Sequence, residues 1–198
     1  MIYSPLIEKA IRIASYRHRN QNRKYPCELP SLSYVSHLFS VALILARYAD
    51  DENIIAGGIL HDIIEDTDYT IEELESDFGT KIKDIVLGVT EKKLDERGER
   101  LPWEIRKKAY SESLKNASPE SLMICAADKI HNMNSYINYD KTREDAENAM
   151  WSKFNASKEL KIKTYGDVLE ILKKRLNNPI VKECERMFCE MKRVFKVS

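Results

Sequence analysis

Ile54-Ile55-Ala56-Gly57-Gly58-Ile59-Leu60-His61-Asp62-Ile63-Ile64-Glu65-Asp66-Thr67 is the stretch that decides how this chain folds. Its first seven residues are apolar with no polar stripe, which reads as a helix buried on every side. Four polar side chains, His61, Asp62, Glu65 and Asp66, then arrive in the interior at its C-terminal end. Burying an unpaired carboxylate costs several kcal/mol by order of magnitude. The negative pole of the helix dipole adds about 0.3–1 kcal/mol for each acid placed there. A divalent cation offsets both penalties.

In a continuous helix, positions 61 and 65, and 62 and 66, stack at i,i+4 with Cβ atoms about 5–6 Å apart. His61 and Asp62 then bind one metal, while Glu65 and Asp66 stand a turn away, placed to act on the attacking water without coordinating the ion. That layout suits metal-assisted hydrolysis.

The chain has four histidines, so the search for further donors is short. His37 opens an amphipathic stretch in which Leu38, Val41, Ala42 and Leu45 keep helical spacing, and it is the natural second imidazole. Asp128 interrupts the apolar run Leu122-Met123-Ile124-Cys125-Ala126-Ala127 and offers the remaining carboxylate. The inferred metal site is His37, His61, Asp62 and Asp128. Two imidazoles and two carboxylates without a thiolate suit manganese, iron or zinc.

Start and stop signals mark helices along the rest of the chain. Ser4-Pro5 opens the first, with Leu6, Ala10, Ile13 and Ala14 inward. Thr70 and Glu73 spell a capping box for a short helix ending near Phe78-Gly79, and Thr80 opens another over 81–89. Pro102 and Ser118-Pro119 begin two more, the second bearing Asp128. No strand-like alternation of useful length occurs, so the fold class is all-α. Residues 91–101 carry eight charges and one Gly, and read either as a mobile lid over the site or as a plain solvated loop. The C-terminal third, 158–196, is rich in Lys and Glu with apolar spacing at Val168, Leu169, Leu172, Val181, Met187, Phe188, Met191 and Val194. It is expected to pack on the core or on a second copy in a homo-oligomer.

Composition sets the outer limits. A chain of 198 residues is expected to form one domain over 1–198, with 158–198 as a helical extension packed on it, burying roughly 70% of its unfolded surface. Lys plus Arg equal Asp plus Glu at 32 each, so no global field favours nucleic acid or membrane as partner. Glu8, Lys9 and Arg12 break the N-terminal apolar pattern and argue against a secretory segment, and no apolar run reaches about 18 residues. The expected location is cytoplasmic. Cys27, Cys125, Cys184 and Cys189 lack metal-ligand pairing and read as reduced structural thiols.

The order His37, His61-Asp62, Asp128 resembles the HD phosphohydrolase superfamily, all-helical metal-dependent phosphate-ester hydrolases. Glu65-Asp66, Phe78-Gly79, Val86-Leu87-Gly88-Val89-Thr90, Ala127-Asp128-Lys129-Ile130-His131-Asn132-Met133 and Arg17-His18-Arg19-Asn20-Gln21-Asn22-Arg23-Lys24 resemble the hydrolase domain of the bacterial stringent-response enzymes. The similarity runs from about Pro5 to Asn155 and extends to the stand-alone small alarmone hydrolases. It implies a single-domain HD-type helical bundle with one ion, usually manganese, on His37, His61, Asp62 and Asp128. It further implies that Glu65 and Asp66 position or activate the water, that Arg23 and Lys24 meet the base or phosphates, and that Asn132 contacts the nucleotide. The implied partner is a small-molecule nucleotide, and the implied reaction removes the 3′-pyrophosphate of guanosine tetra- or pentaphosphate.

The chain departs from the long bifunctional enzymes in two places. Leu38 follows His37 where they usually carry Pro, and the segment from Lys24 to His37, with Pro26 and Pro30, is longer than theirs. Two other functions fit the same residues: hydrolysis of another nucleotide phosphate ester (a nucleoside monophosphate, an adenine alarmone or a dinucleotide phosphate), and nucleotide binding by a catalytically degenerate regulator. Lys92, Lys93, Arg106 and Lys107 are further phosphate candidates, although charge runs of this kind are usually just solvated. His131, three residues after Asp128, has donor spacing, but the resemblance makes its position structural.

Overall fold

The structure, a computed structural model, describes residues 3–23, 32–138, 146–154 and 156–197. Lys24 and Cys27 lie outside them. The described residues form helices α1 (Pro5–Arg17), α2 (Val35–Leu45), α3 (Glu52–Leu60), α4 (Ile63–Asp66), α5 (Ile71–Leu87), α6 (Trp103–Leu114), α7 (Pro119–Ile137), α8 (Ala146–Trp151), α9 (Lys158–Arg175) and α10 (Ile180–Phe195). Pairing outside helices is limited, among the described residues, to two isolated bridges, Asn22 with Ser33 and Leu94 with Arg100. No described helix is long and apolar enough to cross a membrane.

α3 is the central post. Ile54 through Leu60 are all buried, and α1, α2, α5 and α7 pack around them. A helix enclosed on all sides must be thin where neighbours come closest. A Cβ on Gly57 would lie 3.0 Å from both Ile124 and Ile85, and one on Gly58 would run into Leu45 of α2. The two glycines draw α2 and α7, which carry His37 and Asp128, towards the end of α3 that carries His61.

The capping signals place the other elements. Ser4 accepts from the Ile7 N–H, Ser118 from the Ser121 N–H, and Thr70 and Glu73 close a reciprocal capping box. Gly79 interrupts α5 with φ 80°, a left-handed value that favours glycine, so two helical pieces meet there at a kink. Thr80 does not cap the second piece; its hydroxyl donates to Glu75 at 2.8 Å.

The 54–66 stretch is not one helix. α3 stops at Leu60, His61 and Asp62 form a turn, and α4 restarts at Ile63. His61 Nδ1 lies 2.8 Å from the Gly58 carbonyl, so its ring occupies an acceptor at the helix end, while Asp62 sits at φ −99°, ψ 0°. α10 lies against α7 and α9, with Val181, Met187 and Met191 buried, so the apolar faces of the C-terminal third are covered by the chain itself. Cys125 and Cys184 are buried free thiols, and Cys189 is exposed.

Candidate metal centre

His37, His61, Asp62 and Asp128 reach the site from α2, the turn after α3, and α7. His37 Nε2 lies 3.2 Å from Asp128 Oδ1 and 3.7 Å from Asp62 Oδ2. His61 Nε2 lies 3.0 Å from Asp62 Oδ2 and 3.9 Å from Asp128 Oδ1. Donor atoms of His37, His61 and Asp128 all fall within 4.8 Å of one another, with Asp62 at the edge of the same cluster. Both imidazoles are almost wholly buried.

The cluster is built for a cation. With His61 Nδ1 directed at the Gly58 carbonyl, Nε2 is buried and has no properly directed hydrogen bond despite its nearness to Asp62. Burial alone would lower the His61 pKa, but Asp62 and Asp128 outweigh it and raise it to about 9. Burial likewise works against the charge of Asp62 and Asp128. His61 and His37 nevertheless hold Asp62 low, and Lys129 with the same two histidines holds Asp128 well below the carboxylate range. Without an ion, a proton on His61 supplies the positive charge these acids require. A divalent ion fits that electrostatic demand and the donor set of two imidazoles and two carboxylates.

Glu65 and Asp66 diverge. Glu65 lines the cavity that holds the donors, accepts the Glu91 backbone N–H at 2.5 Å and lies 3.2 Å from Lys93. Burial and the charge of Asp62 raise its pKa to about 7, Lys93 and the Glu91 N–H opposing them. Asp66 faces the adjoining cleft, where it pairs with Lys93 and accepts from Gln21 Nε2 at 3.0 Å. The two acids are neighbours on α4, share Lys93 and both line the cleft beside it, but of the pair only Glu65 also lines the cavity of the donors.

The first cavity, about 200 Å³, adjoins two clefts of about 320 and 250 Å³ that share its walls. One arm runs past Arg23, Tyr34 and Asn132 towards Gln21 and Asn22. The other passes Glu65, Trp103, Lys107 and Lys161, and the two clefts meet at Asp66, Lys93 and Arg100. Arg23 donates to Asn132 Oδ1 at 3.0 Å, and Asn132 in turn donates to Asp128, tying the first arm to the donor cluster. Arg17 and Arg19 do not extend this basic wall: Arg17 pairs with Asp68 and Glu73, and Arg19 folds over Tyr16. Arg106 is buried against Glu91, while Lys92 lines only an outer groove.

Residues 91–101 are fastened at their N-terminal end, and the chain closes back on it at Leu101. Glu91 pairs with Arg106 and Lys107, Lys93 with Glu65 and Asp66, and the Leu101 N–H reaches the Lys93 carbonyl at 3.0 Å. The segment forms a flap tied to the cavity wall at its base, with its tip, residues 96–100, exposed to solvent.

Three side chains escaped the sequence reading. Tyr34 donates its hydroxyl to Asp62 Oδ2, and its spacing of three before His37 would have placed it on the same face. Lys129 pairs with Asp128 between the rings of Tyr110 and Tyr165. Lys161 lies 4.2 Å from the Phe154 ring centroid and 5.5 Å from that of Tyr136, and among the described residues it has no carboxylate partner. In a lysine-rich helix nothing local marks it.

An all-helical domain whose His-Asp turn meets a distant histidine and aspartate in one cavity defines a recognisable class. The chain belongs to the HD domain family, whose sequence model matches residues 10–157. It is 36% identical over 127 residues to guanosine-3′,5′-bis(diphosphate) 3′-pyrophosphohydrolase MESH1 of Danio rerio, covering 63% of this chain and 66% of that protein. It is 34% identical over 142 residues to a GTP pyrophosphokinase of Streptomyces coelicolor, covering 71% of this chain but 16% of that one. The chain thus spans about two thirds of the animal relative and a small part of the bacterial one. Among solved structures, a metazoan ortholog of SpoT described as hydrolysing ppGpp has the same fold, with TM-score 0.74 at 24% identity over 100% of this chain and 99% of that one. The Listeria monocytogenes protein lmo0812 gives TM-score 0.66 at 28% identity, over 82% of this chain and 96% of that one.

Proposed function

We propose that this protein is a metal-dependent phosphohydrolase that removes the 3′-pyrophosphate of guanosine tetra- or pentaphosphate. The observation carrying the proposal is the convergence of His37, His61, Asp62 and Asp128 on one cavity, with the Glu65 carboxylate on its wall. The MESH1 relatives, named for this reaction, support the choice of substrate.

In this reading His37, His61, Asp62 and Asp128 hold one divalent ion, with manganese the expected metal. When bound, the ion supplies Lewis acidity that stabilises charge developing on the phosphoryl group and acidifies the attacking water. Glu65 accepts the water's proton, and its placement beside the donors without joining them suits that task. Asp66 holds Lys93 and Gln21 in place at the flap. Tyr34 fixes the Asp62 carboxylate through its hydroxyl.

The two arms of the cleft divide the substrate. Arg23 and Asn132 face the nucleoside side, where Lys24 is assigned with them by resemblance. Lys107 and Lys161 line the opposite arm with cations suited to the second phosphate group. Neither Arg23 nor Lys161 is neutralised by a carboxylate among the described residues, so both keep charge for an anion. A cytoplasmic site of action belongs to the same proposal.

Incubation of manganese-loaded protein with guanosine tetraphosphate, followed by ion-exchange chromatography, is expected to yield guanosine diphosphate and pyrophosphate. Nucleoside monophosphates, adenine alarmones and dinucleotide phosphates run in parallel decide the substrate. Inertness of the loaded protein towards all of them would support a degenerate nucleotide-binding regulator instead.

A further inference from the structure

His131 was set aside as structural, yet its ring lies against His37. The two Nδ1 atoms are 2.7 Å apart, with ring centroids 4.8 Å apart and planes inclined at 46°. A separation of 2.7 Å between two ring nitrogens leaves room for one proton, so one imidazole donates and the other accepts. His37 Nε2 faces Asp128 at 3.2 Å and Asp62 at 3.7 Å, the direction in which a metal donor must present a lone pair. With an ion at Nε2, the ring hydrogen of His37 belongs on Nδ1, and His131 Nδ1 is the acceptor.

We propose that His131 is a positioning residue for the metal centre, which fixes the tautomer and ring orientation of His37 by accepting its Nδ1–H; this rests on the metal reading given above. α7 thereby flanks one imidazole on both sides, with Asp128 placed to share the ion with Nε2 and His131, three residues later, accepting from Nδ1. The outer partner of a ligating histidine is commonly a carboxylate, a backbone carbonyl or water. His61 follows that pattern with the Gly58 carbonyl, whereas His37 is oriented by another imidazole. A neutral acceptor directs the ring without adding a further negative charge to a pocket that already holds Asp62, Glu65 and Asp128.

The test compares two substitutions in the full chain after stripping and reloading with Mn2+. His131→Phe keeps an aromatic ring and removes the acceptor; His131→Asn places an amide oxygen where Nδ1 stood. Calorimetric titration is expected to show Mn2+ affinity reduced by about 10–100-fold in His131→Phe and largely restored in His131→Asn, with turnover of the Phe variant recovering at saturating Mn2+. Unchanged affinity in His131→Phe, or equal losses in both folded variants, overturns the proposal. Long-range 1H–15N spectra of the wild type loaded with diamagnetic Zn2+ keep it testable if a variant misfolds: a hydrogen on His37 Nδ1 with a bare His131 Nδ1 supports it, and the reverse overturns it. Failure of the wild type to bind Mn2+ defeats the metal reading, a result distinct from loss of the acceptor effect.

Discussion

The Glu65 carboxylate accepts the backbone N–H of Glu91 at 2.5 Å, so the residue best placed to receive a proton is held by the first residue of the flap. Glu91 is itself anchored through its side chain to Arg106 and Lys107 of α6. Flap, Glu65 and helix form one mechanical unit, and loosening any part moves this carboxylate.

Glu65→Gln is expected to keep full metal content and to lower kcat by about 10²–10⁴-fold. Because burial and Asp62 raise the Glu65 pKa to about 7 before an ion adds its charge, wild-type kcat/KM is expected to rise with pH and level off at or below about 7. That acid limb is expected to vanish in the variant. Elemental analysis with pH-rate profiles checks both, and near-normal turnover would assign the role elsewhere.

Metal-free protein is expected to lose stability as the solution becomes alkaline. The folded His61 pKa, about 9, exceeds its ordinary value of 6.5, because Asp62 and Asp128 outweigh the opposing effect of burial. A raised value means that the stabilisation is fully present below about pH 6.5 and disappears as pH climbs through 9. The loss is on the order of a few kcal/mol. Thermal melts of stripped and Mn2+-loaded protein across this window test the claim: the stripped form declines, while the loaded form, with a cation in place of the proton, holds level. A flat profile for the stripped form contradicts it.

Arg23→Ala and Lys161→Ala are each expected to raise KM about tenfold, the loss of roughly 1.4 kcal/mol of binding. Mn2+ affinity should stay unchanged, since neither side chain belongs to the donor set. Parallel loss of metal and substrate affinity would indicate damage to the fold rather than to an anion contact.

Gly58→Ala is expected to destabilise the protein by about 1–3 kcal/mol, because the added methyl group enters the space of Leu45. Leu45 and His37 share α2, so Mn2+ binding should weaken as well. Differential scanning calorimetry and metal titration measure the two effects. A wild-type melting temperature would refute the account of α3 packing.

Much of this architecture was legible beforehand because it rests on local signals. Ser4, Thr70 and Ser118 cap helices where their spacing to the following backbone N–H groups required it, and the unbroken apolar character of 54–60 announced a helix enclosed by neighbours. The convergence of His37 and Asp128 on the His61-Asp62 turn was readable because rare polar residues interrupt long apolar faces. The turn itself was hidden. His61 drawing on the Gly58 carbonyl is a side-chain competition that periodicity cannot register, and it lies where α3 ends ahead of the short α4 that carries Glu65 and Asp66. Lys161 and the His37–His131 contact depend on how α7, α9 and α2 approach one another, over 94 residues of separation for the histidine pair.

Because the donors arrive from three separate stretches of chain, no fragment that stops short of α7 possesses the complete set. Ion uptake then acts as an inspection step: a half-assembled chain captures the metal poorly, and only the finished molecule gains the added resistance to unfolding that selective binding confers. Starvation for the metal would consequently reduce the amount of intact protein as well as its turnover, coupling the supply of a trace element to the lifetime of the enzyme.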